Sequence, residues 1–160
     1  RGHPRHKVIT DFMPAELAAD ISASGHRVVA TVYMQSGTVG PKQYFRTDGP
    51  EHLKVVGETE AVAALGAEAA AAGLTDCSVA AGIVATVDID NLRPADAGAV
   101  LDAHLAAAPG RFVGVRCKGG RAEQIDFGGG AMRAVAAALE ARGLVLYCNG
   151  PETHPLQLVA

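Results

Sequence analysis

Val79-Ala80-Ala81-Gly82-Ile83-Val84-Ala85-Thr86-Val87 runs for nine residues without a charged side chain. Its apolar residues do not alternate with polar ones, so it reads as a strand covered on both faces, as happens when crossover helices flank a parallel sheet. Three shorter runs share this character: Val28-Val29-Ala30-Thr31-Val32-Tyr33-Met34, Phe112-Val113-Gly114-Val115 and Leu144-Val145-Leu146-Tyr147. Ala-rich stretches with helical spacing separate them. The first helix is expected over 14–22, with Pro14 in its first turn and Gly25 closing it. The others are expected over 58–72, from near Pro94 to Pro109-Gly110, and over 131–142. The order is α/β with parallel βα repeats, and the period of 30 to 50 residues suits either a small open sheet or about half of a (β/α)8 TIM barrel.

Composition narrows the classes. At 160 residues and 49% hydrophobic, the chain suffices for one core, which makes it a single domain. Ala supplies much of that apolar content and Trp is absent, so helices must pack closely over small side chains. Lys and Arg are scattered singly and the net charge is -3, which leaves no basic stripe for a nucleic-acid backbone. No apolar stretch reaches the ~20 residues that span a bilayer. A cytoplasmic protein is expected, with Cys77, Cys117 and Cys148 as free thiols. The chain opens on Arg1 and ends in what reads as the start of a helix, so the domain is expected to be truncated at both ends.

Parallel α/β sheets place their chemistry at the carboxyl ends of the strands. Here those ends carry Gln35-Ser36, Asp88-Ile89-Asp90, Arg116-Cys117-Lys118 and Cys148-Asn149, with His154 shortly beyond. Arg116 can fork onto a substrate carboxylate or make a structural ion pair. Lys118 offers a second cation for the same substrate. Gln35 can orient a polar group or tie down the loop expected over 36–57, whose length suggests a cover for the site. His154 is a candidate metal ligand or general acid/base, or else a capping residue. Glu58 and Glu60 fit the first turn of a helix better than catalysis. Asp88 and Asp90 read as turn chemistry or a cation site. Gly128-Gly129-Gly130 lacks a phosphate-loop pattern and reads as a flexible turn, and a Cys148–His154 nucleophile pair has no third residue to orient it. The remaining histidines, His104 included, read as structural or exposed.

Four blocks in sequence, Gly25-His26-Arg27-Val28-Val29-Ala30-Thr31-Val32, Val56-Gly57-Glu58-Thr59-Glu60, Ala81-Gly82-Ile83-Val84 and Gly110-Arg111-Phe112-Val113-Gly114-Val115-Arg116, resemble the lactonase-type proteins of the amidohydrolase superfamily. The resemblance implies a (β/α)8 barrel that hydrolyses a lactone, ester or amide of a small carboxylate-bearing substrate, with a divalent metal, zinc first among them, or with none. It implies that this chain spans about barrel units two to five, with the H-x-H of the first strand before Arg1 and the acid of the eighth strand beyond Ala160. The family's strand-end arginine falls on Arg116, and its histidine after the fifth strand falls on His154, as catalytic residue or metal ligand. Gln35 stands where many relatives carry glutamate, and Cys117 where the arginine is followed by histidine. The contrasting expectation is a non-catalytic α/β module that binds a ligand or associates with itself, since an incomplete barrel leaves two strand edges open. The expected partners are therefore a small-molecule substrate together with either a homo-oligomer or the remainder of a longer chain.

Overall fold

A computed structural model of the chain describes residues 13–35, 44–71, 73, 76–117, 126 and 128–148. Helices and strands alternate through them: α1 (Pro14–Ala23), β1 (Ala30–Met34), α2 (Val56–Ala71), β2 (Ser78–Thr86), α3 (Ala97–Ala107), β3 (Phe112–Cys117), α4 (Gly130–Glu140) and β4 (Val145–Cys148). The strands form one sheet in the order β1-β2-β3-β4, and every neighbouring pair is parallel. Each element expected within the described residues is present within about three residues of its expected bounds, and the helix start expected at the end of the chain lies outside them. α2 begins two residues early at Val56, and α3 begins at Ala97 after a short 3-10 turn over Pro94–Asp96.

Local chemistry sets the ends of the helices. Pro14 occupies the first turn of α1, and the Glu16 carboxylate accepts the Met13 N–H at 2.9 Å, satisfying a donor that the helix leaves open. Arg93 forks onto Asp96 at 2.7 and 2.9 Å ahead of α3. Gly143 ends α4 with φ at +63°, a conformation that L side chains resist, and Leu144 then donates back to the Leu139 carbonyl at 3.0 Å. β2 is irregular near its start, where Ala80 sits at φ +50° and its N–H is taken by Thr31 Oγ1 at 2.9 Å. The β1–β2 register shifts over the same stretch, as a bulge requires.

The core lies between the sheet and the helices. Val56, Ile83, Ala85, Val100, Leu101, Val115 and Val135 are fully enclosed there. α2 touches α3, and α3 touches α4, so the helices form one layer. Strands following one another with crossovers of a single hand put every helix on the same face. Both faces were expected to be covered, and the structure corrects this: Val32 is 63% exposed, Val145 54% and Tyr147 40% on the side away from the helices. Continuous apolar runs arise here because one face packs on helices while the other presents valines that no described residue covers.

Arg111, in the turn before β3, clamps the layers together. Its guanidinium donates to the carbonyls of Ala80 at 2.9 Å, Ala63 at 3.1 Å and Val79 at 3.1 Å, joining α2 to β2. Gly66 in α2 makes room for it, since a Cβ there would overlap the Arg111 guanidinium. A glycine inside a helix costs about 1 kcal/mol against Ala, and at this position three carbonyls gain a charged donor in return.

His104 of α3 is fully buried, with Nδ1 2.8 Å from Thr59 Oγ1 on α2 and its ring stacked on Phe112 of β3 at 4.9 Å. Burial pushes its imidazole down to about 4, so the folded protein holds it neutral. The unfolded chain protonates it near the usual histidine value, so its contribution is complete above about pH 6.5 and is lost as pH falls toward 4. That loss amounts to about 3 kcal/mol by linkage. Urea unfolding at pH 7 and pH 4.5 should show a falling midpoint for the native protein, and a His104→Gln variant should lose most of that slope.

Candidate functional site

The carboxyl ends of the strands gather around Arg116. It lies in β3 opposite Thr86 of β2 on one side and Tyr147 of β4 on the other. Its side chain crosses the end of β2, and Nη1 donates to the main-chain carbonyl of Gln35, just past β1, at 2.6 Å. The guanidinium carbon stands 5.4 Å from the centre of the Tyr147 ring, within range of a cation–π contact. One side chain thus bridges the ends of three strands over the fourth.

Some described arginines pair with acids, and others, Arg116 and Arg111 among them, do not. Arg46 pairs with Glu60, Arg93 with Asp96 and Arg142 with Asp102. Arg116 has no acidic partner among the described residues, and its Nε is buried without a hydrogen-bond acceptor. A part-buried guanidinium with open donors at a strand end is the arrangement that accepts a ligand carboxylate.

Gln35 meets this site through its main chain. Its side chain is fully buried, and neither amide atom has a hydrogen-bond partner among the described residues. Two candidates read from the sequence, Lys118 and His154, lie outside the described residues, as do residues 36–43 of the expected covering loop. The rest of that loop is ordered in part as a 3-10 turn over Glu51–Leu53, and Gly57 belongs to α2. Gly57 is where this loop packs on the helix, since a Cβ there would overlap the Tyr44 carbonyl oxygen.

The acidic candidates divide. Asp88 accepts from the Asn91 amide at 3.0 Å and Asp126 from the Gly128 N–H at 3.1 Å, so both serve local turns. Glu60 is held by the Arg46 guanidinium, which lowers its pKa below the usual carboxylate range. Glu58, expected as a dipole-compensating charge, does lie in the first turn of its helix, where it is buried at 1% exposure and accepts the Tyr33 hydroxyl at 2.7 Å. Its place in the first turn of α2 faces the sheet, which the helix periodicity alone did not reveal. No group of three or more His, Cys, Asp or Glu side chains among the described residues is placed to hold a metal ion. A cationic guanidinium against a tyrosine ring does not fit a divalent cation, so no chemical step here runs through one.

Tyr147 is the site residue that sequence reasoning passed over. No signal in the sequence marks it, since the parallel register that sets the end of β4 beside the end of β3 is fixed only in the folded sheet. Comparison with protein-family models, with curated proteins and with solved structures finds no match to the chain. Among the described residues no helix is long and apolar enough to cross a membrane.

Burial, with the Glu58 carboxylate next to it, pushes the Tyr33 phenol well above its ordinary value. In an alkaline absorbance titration of the protein's three tyrosines, Tyr33 should stay protonated at pH 11, and a Tyr33→Phe variant should leave the amplitude below that pH unchanged.

Proposed function

We propose that this protein is an amidohydrolase-type hydrolase cleaving a lactone, ester or amide of a small carboxylate-bearing substrate, with Arg116 as the residue that holds the carboxylate. The observation that carries this reading is the strand-end guanidinium without an acidic partner among the described residues. The sheet order β1-β2-β3-β4 with its helices in one layer supports it, because consecutive parallel strands of a (β/α)8 barrel follow one another in that way. In this reading the four strands are part of such a barrel and the protein works in the cytoplasm.

Arg116 would bind the substrate anion through a pair of parallel N–H···O bonds, fixing the scissile carbonyl over the strand ends. Activation of the attacking water falls, by the family resemblance, to His154. Of these two roles, the one that rests on a described residue is that of Arg116.

A panel of lactones, esters and amides, each with and without a free carboxylate, tests this on the whole natural polypeptide. The expected result is hydrolysis of a carboxylate-bearing member, with Arg116→Gln lowering kcat/KM about 100-fold. Carboxylate-free members should be cleaved equally by both forms. Absence of hydrolysis across the panel, with or without added zinc, would overturn the reading.

A second reading has its own observation. Val29, Val32 and Val145 are each more than half exposed on or beside the uncovered sheet face. A non-catalytic module that binds a ligand or a second copy of itself through that face would bury them. Sedimentation equilibrium over a hundredfold concentration range should then show mass rising toward a dimer, whereas a constant monomer mass removes self-association.

A further inference from the structure

We infer that Tyr147 is the positioning residue for Arg116, presetting its guanidinium for the substrate carboxylate; this rests on the hydrolase reading given above. An arginine at a strand end has many rotamers, and a fork useful for bidentate binding must be held in one plane before the ligand arrives. Two contacts do so here. The Gln35 carbonyl takes one N–H of Nη1 at 2.6 Å, and the Tyr147 ring lies 5.4 Å from the guanidinium carbon. The carbonyl fixes how far the side chain reaches across β2, and the ring fixes how the plane is turned. Neither contact consumes the donors of Nη2.

The placement follows from the sheet. Arg116 and Tyr147 are register partners on adjacent parallel strands, so the ring is delivered beside the guanidinium by backbone hydrogen bonding and not by a flexible loop. Tyr147 is 40% exposed and lies outside the hydrophobic core formed by the described residues, so its ring is not needed to fill that core. A ring in that position acts through its π face, and Phe supplies the same face while Leu supplies similar bulk without it.

The test uses glutarate as an unreactive carboxylate probe, titrated by calorimetry into the whole natural polypeptide, together with kinetics on a carboxylate-bearing substrate. Tyr147→Leu should weaken glutarate binding and raise KM by about threefold to tenfold with kcat unchanged, and Tyr147→Phe should restore both to near the native values. Tyr147→Met serves in place of Leu if the latter fails to fold. Native binding by the Leu variant, or equal weakening by Leu and Phe, overturns the role of Tyr147 while leaving Arg116 as the anion site. Glutarate binding that is unchanged by Arg116→Gln, or undetectable in the native protein, removes the anion site itself and the inference with it.

Discussion

Parallel pairing of four consecutive strands, with every crossover helix forced to one side, is the constraint on which the rest of this molecule depends. It decides which residues are core, because Ile83, Ala85 and Val115 face the helices while Val32 and Val145 do not. It also decides where chemistry can occur, because the polar strand ends all emerge on one edge. The small side chains of the helices suit this geometry. α2 approaches the sheet closely enough for Arg111 to reach carbonyls of both layers, and Gly66 is what lets it pass.

The helix–sheet layer contains more polar chemistry than its composition suggests. His104 with Thr59 is a buried pair and Glu58 with Tyr33 a part-buried one, joining helices to one another or to the sheet. Each takes its ionisable group away from its behaviour in water, His104 by desolvation and Tyr33 by desolvation beside a carboxylate. Such pairs fix register between elements that alanines alone would allow to slide, at the expense of sensitivity to acid or alkali. They stand apart from the strand-end site, whose only charged member among the described residues is Arg116.

The site itself is an arrangement of one cation held by two neutral groups. The Gln35 carbonyl and the Tyr147 ring restrain the guanidinium without neutralising it, which is what distinguishes it from Arg46, Arg93 and Arg142. An acidic partner would have stabilised the resting protein and closed the site to an anionic ligand. In the hydrolase reading proposed above, leaving the charge open would keep that electrostatic free energy for binding.

By itself the sequence determined the kind and order of elements, since apolar runs of strand length alternating with alanine-rich helical stretches admit little else, and Pro14 and Gly143 mark ends that their backbone chemistry dictates. It also singled out Arg116 as a strand-end cation, open to either a substrate carboxylate or a structural ion pair. Burial was different. Glu58, His104 and the uncovered valines were misread or left open because periodicity shows which residues share a face but not whether another layer lies against it. Tyr147 became a site residue only when the register of β3 and β4 set it beside Arg116. The partner of a strand residue is fixed by hydrogen bonding between segments distant in sequence, and only the tertiary structure decides it.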